Sequence, residues 1–171
     1  GFYNKSENAN NAANKAFIFN RIGDIAFILA VVLVYYIFGS LNFDEVFLKG
    51  YNRAVVNLSA NLTSQVAFAG FEINAISLIC ALMLFASLVK SAQLGFNTWL
   101  ADSIEAPLPA SALLHSSTMV AAGVFLTARL SPLFENSYSG LMTFISLMGG
   151  VTALVTAIIA LNQYDIKKIM V

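Results

Sequence analysis

Charge is what this sequence has least of. Only 11% of its 171 residues are Asp, Glu, Lys or Arg, whereas 58% are hydrophobic, and the mean hydropathy is +0.76. Soluble domains carry about 25% charged and about 45–50% apolar residues. Because a soluble fold of this size needs a charged surface, the deficit argues against a soluble domain and indicates an integral membrane chain.

Other chemically informative residues are scarce or balanced. Nine basic residues match nine acidic ones, so no basic surface points to nucleic acid as a partner. The single cysteine, Cys80, excludes a disulfide within the chain and a cysteine metal cluster, and we expect it to be a small buried apolar residue. The sequence starts without Met or a signal-peptide pattern and stops in another apolar segment, so we expect an interior piece of a longer polytopic protein.

Four apolar segments approach or reach the length of about 20 residues that crosses a bilayer. They run from Ile25 to Phe43, from Ile73 towards Leu94, from Leu108 to Leu130 and from Leu141 to Leu161. Residues 1–20 are polar, and residues 44–72 predict a long extramembrane loop with a short interfacial helix near its start. The predicted fold class is an all-α membrane protein, with about four transmembrane helices in one transmembrane region over residues 1–171.

The second span carries a charged residue deep in an apolar run. Lys90 lies roughly 25 Å along this span, and Gly95 follows shortly after it. A helix broken beside a charge is tolerated only where it is buried in protein or lines a wet cavity. We therefore predict that the second helix is discontinuous between about Lys90 and Phe96. The spacing is equally compatible with Lys90 closing an ordinary helix and extending its amine to the headgroups.

Two further sets of polar residues stand in or beside the spans. His115 lies about two turns into the third span, which begins at Pro107 and Pro109. Ionisable groups inside spans are costly and are typical of transport, although a lone histidine on an apolar helix is more often a hydrogen-bonded structural residue. Arg21 and Asp24, at the entrance of the first span, are three residues apart and can pair on one helix face. Gly149 and Gly150 predict a close-packed helix face in the fourth span.

The stretch from Lys90 to Gly123 resembles a family signature. KSAQ at 90–93, WL at 99–100, EAP at 105–107 and PASALLHSSTMVAAG at 109–123 are similar to the antiporter-like membrane subunits of respiratory complex I, the proton-pumping NADH:quinone oxidoreductase, above all the largest of them, known as subunit 5 or L. NRIGD at 20–24 and QYDIKK at 163–168 resemble two further family stretches. The chain departs from the family at Gly95 and Ala101, where proline is usual, and at Leu108, where threonine is usual.

The resemblance implies an antiporter-like helical bundle and roles for four residues. The chain is then a fragment of a longer proton-translocating domain. Lys90 resembles the central proton-holding lysine on the discontinuous helix, and His115 resembles the histidine that relays protons onward. Asp24 resembles an acidic residue that modulates the charge of that lysine. Lys167 resembles a further lysine of the polar axis, with a positive-inside anchor as its alternative.

The resemblance also implies a function, partners and a location. The chain is expected to be part of a proton-translocating subunit of the enzyme complex, with no redox centre of its own, so that NADH, FMN, iron–sulfur clusters and quinone bind other subunits. Expected partners are the other membrane and peripheral subunits of complex I, lipid and protons. The expected location is the mitochondrial inner membrane or the bacterial plasma membrane. The alternatives are a sodium/proton antiporter subunit, disfavoured because Ala121 stands where lysine is frequent there, and a structural membrane piece without transport.

Overall fold

The computed structural model describes residues 3, 5–48, 65–68, 71–114, 118–137 and 139–164. Helices dominate these ranges, which confirms the predicted all-α class, and a short strand pair lies at the end of the predicted loop and extends two residues beyond it. The elements in chain order are α1 Glu7–Phe38, α2 at 43–48, β1 Gln65–Phe68, β2 Phe71–Asn74, α3 Ala75–Lys90, α4 Thr98–Asp102, a 3-10 turn Ser103–Glu105, α5 Leu108–Ala112, α6 Met119–Arg129, α7 Ser131–Glu135 and α8 Ser139–Leu161.

The first helix begins and ends earlier than the predicted first span. Ser6 caps α1, because its side chain accepts a hydrogen bond from the backbone N–H of Ala9, and Gly39 ends it in the left-handed conformation at φ 68°. The predicted end at Phe43 was therefore wrong. The 32 residues of α1 extend about 48 Å, which exceeds a hydrocarbon core of about 30 Å. The polar first turns of α1 therefore continue the helix beyond the apolar span.

The loop between the first two spans contains structure that its sequence did not predict. The described residues 43–48 are helical, as expected for the interfacial helix. The strands β1 and β2 then pair antiparallel, from Gln65 opposite Asn74 to Phe68 opposite Phe71. Asn74 ends β2 and caps α3, since its Oδ1 accepts a hydrogen bond from Ile76 N at 3.3 Å. This cap makes the second span begin at Ala75 and not at Ile73.

The predicted interruption of the second helix is confirmed. The α-helix stops at Lys90, and helical structure resumes only at Thr98. Within the break, Ala92 takes φ 51° and Gly95 takes φ 94°. The left-handed region is readily adopted by glycine but disfavours a residue with a Cβ, so Ala92 is held there by its surroundings.

The third span is also divided, which corrects the predicted continuous helix from Leu108 to Leu130. The α-helix α5, with Pro109 in its first turn as expected, ends at Ala112, and α6 begins at Met119. The backbone N–H of Thr118 donates to the carbonyl of Leu113 at 3.3 Å, and the Thr118 hydroxyl donates to the same oxygen at 2.7 Å. A bond to the fifth preceding carbonyl is the π-type pattern, which widens the turn and interrupts an α-helix.

The helices pack around one large and one small apolar cluster. The large cluster joins α1, α2, α3 and α7 and includes Ala30, Val34, Phe38, Val46, Ile79, Met83, Leu133 and Phe134. The small cluster contains Ala92, Trp99 and Leu100, packed against Ala16, Phe19, Met119 and Val120. The small cluster lies beside the break after Lys90, so this break is surrounded by packed side chains.

Length and composition identify the membrane-crossing candidates among the described residues. Glu7–Phe38 and Gly140–Leu161 are long and apolar enough to cross a bilayer, and Ala75–Lys90 and Met119–Arg129 are shorter apolar helices. These four correspond to the four predicted spans. None of the described side chains of α8 is buried. A Cβ added at Gly149 or Gly150 would have nothing within 4 Å, so the predicted close-packed face is not formed by the described part of this chain.

Candidate functional site

The site is organised by an ion pair between α1 and the last residue of α3. Lys90 Nζ lies 2.8 Å from Asp24 Oδ1, which is a charge-assisted hydrogen bond. About a third of each side chain is exposed, 30% for Lys90 and 34% for Asp24. Gly23 allows the two helices to approach, because a Cβ there would lie only 3.1 Å from Cγ1 of Val89. Two adjacent residues of α1 thus have different roles: Gly23 allows α1 and α3 to approach closely, and Asp24 supplies the negative charge that pairs with Lys90.

Asp24 faces a second cation on its own helix. Arg21 Nη1 lies 3.7 Å from Asp24 Oδ2, which confirms the predicted i,i+3 pair. The Arg21 side chain is 62% exposed, and its guanidinium also stacks over the ring of Phe17 at 4.8 Å. One carboxylate is thus shared between two cations, and the shorter contact is the one to Lys90.

Specific hydrogen bonds build the end of α3, which would otherwise leave unpaired carbonyls. The indole N–H of Trp99 donates to the carbonyl of Val89 at 3.3 Å, and Trp99 is 1% exposed. Ser91 donates to the carbonyl of Ser87 through both its backbone N–H, at 2.8 Å, and its hydroxyl, at 2.7 Å. Gln93 N donates to the carbonyl of Leu88 at 3.1 Å. The break after Lys90 is therefore a defined structure and not a frayed helix end.

The other side of α3 presents hydroxyl groups to α6. Thr127 Oγ1 lies 3.0 Å from Ser87 Oγ. Gly123 is buried at this contact, where an added Cβ would lie 2.6 Å from the carbonyl oxygen of Ser87 and 3.0 Å from Cβ of Ser91. In the described part of the chain, Gly123, like Gly23, thus allows close helix packing, whereas Gly149 and Gly150 do not.

A cavity of about 170 Å³ lies between α3, α6 and α8. Its polar lining consists of Ser87, Ser91, Gln93 and Thr127. Gln93 Oε1 is buried and accepts no hydrogen bond from the described residues. The rest of its lining is apolar, but a cavity of this size has room for several water molecules, and one of them would satisfy this oxygen. The Leu94 N–H donates to Thr152 Oγ1 at 3.3 Å and connects the break to α8.

The structure brings together two of the four predicted site residues, Lys90 and Asp24. His115 and Lys167 lie outside the described residues, although the hydrogen bonds between Leu113 and Thr118 define the backbone on either side of His115. Within the described ranges, no group of three His, Cys, Asp or Glu side chains could hold a metal ion.

Sequence reasoning missed one ion pair of the site. Lys15 Nζ lies 2.6 Å from Asp102 Oδ2, and this contact joins α1 to α4, on the far side of the break from Lys90. The two residues are 87 positions apart. Since neither belongs to a periodic pattern that predicts such a contact, no local signal in the sequence could have revealed it.

Comparison with known proteins matches the whole chain to one family. The model described as NADH:quinone oxidoreductase/Mrp antiporter, TM, covers residues 1–171. The chain is 45% identical to NADH-quinone oxidoreductase subunit L of Rickettsia bellii (strain RML369-C) over 170 residues, which are 99% of this chain and 25% of that protein. It is 43% identical over 164 residues to NADH-ubiquinone oxidoreductase chain 5 of Acanthamoeba castellanii, covering 95% of this chain and 23% of that protein.

A chloroplastic relative is equally similar. The chain is 45% identical to NAD(P)H-quinone oxidoreductase subunit 5, chloroplastic, of Physcomitrium patens over 169 residues, which are 98% of this chain and 22% of that protein. The chain thus spans about a quarter of the length of the curated relatives it matches. The match along the full chain, together with the apolar helices, shows that this is an integral membrane chain of the NADH:quinone oxidoreductase/Mrp antiporter family.

Proposed function

We propose that this chain is part of a proton-translocating membrane subunit of NADH:quinone oxidoreductase, complex I. The observation that carries the proposal is the 2.8 Å ion pair between Lys90 and Asp24, at the point where a helix of this family is interrupted. The relatives reported above are named as subunit L, chain 5 and subunit 5 of NADH-quinone, NADH-ubiquinone and NAD(P)H-quinone oxidoreductases. A charged pair inside a membrane helix bundle is typical of a proton or ion pathway.

The proposed switch follows from electrostatics. Burial disfavours the charged form of an amine, and a nearby carboxylate favours it. Asp24 therefore supplies a counter-charge to the Lys90 amine while the two are in contact. Arg21 is a second cationic partner for Asp24 at 3.7 Å, so the carboxylate can form an ion pair with Arg21 when it moves away from Lys90. Withdrawal of Asp24 towards Arg21 would release the proton of Lys90.

The released proton would then pass to His115 and onward to Lys167. An imidazole gains and loses protons near neutral pH, which suits an intermediate carrier. The hydroxyl and amide groups of Ser87, Ser91 and Gln93 in the cavity support a water-mediated step. Water molecules that bridge polar groups transmit hydrogen bonds across gaps too long for direct contact.

The redox half of the reaction is assigned to other subunits. We place NADH, FMN, the iron–sulfur clusters and quinone outside this chain, and we propose the other membrane and peripheral subunits of complex I, lipid and protons as its partners. The proposed location is the inner membrane of mitochondria or the plasma membrane of bacteria. Electron transfer in other subunits would affect the protonation of Lys90 only indirectly, through movement of the helix that carries Asp24.

Substitutions of Lys90 in the full-length subunit, assembled in its complex in sealed vesicles, test the proposal. Lys90→Ala should abolish proton uptake through the half-channel formed by Lys90, His115, Asp24 and Lys167. The complex should still assemble, because the role of the amine is to carry charge and not to pack against other helices. Lys90→Arg should behave like Lys90→Ala, since a guanidinium keeps its proton in proteins. His115→Ala should lower uptake less, because water can fill the gap.

The controls separate pumping from the alternatives. Proton uptake is measured per assembled complex with NADH as the electron donor, with and without sodium in the medium. Uptake that requires sodium would favour the cation/proton antiporter function that the family description also names. Normal uptake by Lys90→Arg would contradict the proposal that Lys90 must release a proton.

A further inference from the structure

We propose that Lys15 and Asp102 form a positioning pair that fixes the distance between Lys90 and Asp24. Neither residue is placed in the proton path proposed above. The inference rests on that proposed function, because it concerns how Lys90 and Asp24 are kept at contact distance. The geometry that points to it is the attachment of one helix, α1, to both sides of the break in the second span.

Two ion pairs connect α1 to the two sides of the break. Asp24 binds Lys90, the last residue of α3, at 2.8 Å, and Lys15 binds Asp102, the last residue of α4, at 2.6 Å. The break itself lies between them, with Ala92 and Gly95 in the left-handed region. The backbone from residue 91 to residue 97 therefore has no continuous helical ladder, and α4 is joined to α3 by the Trp99–Val89 hydrogen bond and by the contacts that α1 makes on both sides of the break.

Ala16, Phe19 and Gly23 form the stripe of α1 that packs against the break, and the two ion pairs lie on opposite edges of this stripe. At 100° per residue, Lys15 lies about 80° to one side of Gly23, and Asp24 lies about 100° to the other. Rotation of α1 about its axis therefore increases the distance within one ion pair and decreases the distance within the other. Two pairs on opposite sides of the contact thus resist rotation in both directions.

The stripe contacts each part of the interrupted segment in turn. Gly23 lies against Val89 at the end of α3. The ring of Phe19 meets the ring of Phe96 edge-on, with centroids 6.3 Å apart. Ala16 and Phe19 pack on the cluster of Ala92, Trp99 and Leu100. The apolar contacts fix how close α1 lies to the break, and the two ion pairs fix its rotation.

The solvent exposure of the Lys15 and Asp102 side chains indicates that this pair orients α1 and adds little to the folding free energy. Their side chains are 38% and 45% exposed, respectively. Ion pairs with this much solvent contact contribute little to folding free energy. Loss of the pair should therefore leave the complex assembled, while α1 becomes free to roll and carry Asp24 away from Lys90.

The test uses neutral, conservative and exchanged variants in the full-length subunit within its complex. Lys15→Met and Asp102→Asn should each lower the number of protons taken up per NADH oxidised by about threefold, the size of effect that a partly exposed pair supports. The combination of both should cost no more than either alone. Lys15→Arg should keep normal coupling, and the exchange of Lys15→Asp with Asp102→Lys should restore most of it.

The controls distinguish failure of this inference from failure of the proposed function. Lys5→Met removes a nearby lysine that forms no ion pair with the described residues, and it should leave coupling unchanged. Normal coupling in both Lys15→Met and Asp102→Asn, with Lys90→Ala inactive, would overturn the positioning role alone. Single variants that lose coupling without rescue by Lys15→Arg or by the exchange would also overturn it. Normal uptake by Lys90→Ala would overturn the proposed function and this inference with it.

Discussion

The contact between α1 and α3 has two ends that are built from different kinds of residue. At one end, Ala30 and Val34 of α1 belong to the same apolar cluster as Ile79 and Met83 of α3. At the other end, Gly23 lies against Val89, and Asp24 pairs with Lys90. Inside a membrane, close van der Waals packing drives helix association, whereas partly exposed ion pairs add little stability. The apolar end should therefore set stability, and the polar end should set the geometry of the charges.

A second comparison, between α3 and α8, leads to a related conclusion. Ten of the sixteen residues of α3 are buried, whereas none of the described side chains of α8 is buried. Leu147, Leu154 and Ile158 of α8 are each about 60% exposed. Although α8 contacts the rest of the described chain at Ile145 and Thr152, its remaining apolar surface needs lipid or other helices to cover it. Within the described part of the chain, α3 is the central helix and α8 is the one that faces outward.

The largest effect is expected at the apolar end of the α1–α3 contact. Ile79 is fully buried, so Ile79→Ala should leave a cavity and lower stability by about 2–5 kcal/mol. The thermal midpoint of the assembled complex checks this. Proton uptake per assembled complex should stay normal, because the charged end is untouched. Ile158→Ala, at an exposed site on α8, is the matched control. A loss of coupling at unchanged stability would contradict the division between the two ends.

An intermediate effect is expected where α6 approaches α3. Gly123→Ala places a Cβ 2.6 Å from the backbone carbonyl oxygen of Ser87, which no side-chain rotation can relieve. Overpacking of this kind costs about 1–3 kcal/mol. The shift of α6 should also separate Thr127 from Ser87 and lower proton uptake. Gly149→Ala, whose Cβ meets nothing within 4 Å, should have neither effect. Equal losses of stability and proton uptake in Gly123→Ala and Gly149→Ala would show that the close approach of α6 to α3 is not the cause.

The smallest effect on stability is expected at the break. Trp99→Phe keeps an aromatic ring in the cluster but removes the indole N–H that binds the carbonyl of Val89. A lost hydrogen bond of this kind costs about 0.5–1.5 kcal/mol. Because that bond fixes the turn before Lys90, we expect a larger fall in proton coupling than in the thermal midpoint. Phe125→Leu, at a residue exposed on α6, controls for aromatic substitution. Unchanged coupling in Trp99→Phe would show that the bond does not position Lys90.

The sequence by itself determined the membrane class and the apolar segments, and together with the family resemblance it predicted a discontinuity after Lys90 that spacing alone left open. Low charge, long apolar runs and a charged residue followed by Gly95 are local properties, and each restricts what the backbone can do in a bilayer. The resemblance to the family rested on the same stretch. Segment ends were less accurate, because capping residues and not hydropathy decide where a helix begins, as Asn74 does for α3, or ends, as Gly39 does for α1.

Only the tertiary structure decided which polar groups meet. Helical spacing alone placed Asp24 beside Arg21, and only the resemblance to the family implied that Asp24 lies near Lys90. The contact of Asp24 with Lys90 and that of Lys15 with Asp102 depend on how α1 lies against an interrupted helix. The small cluster around Trp99 and the contact at Gly23 bring α1 close enough to the interrupted helix for these pairs to form. Contacts between residues far apart in the chain arise from packing, and no local pattern of residues carries that information.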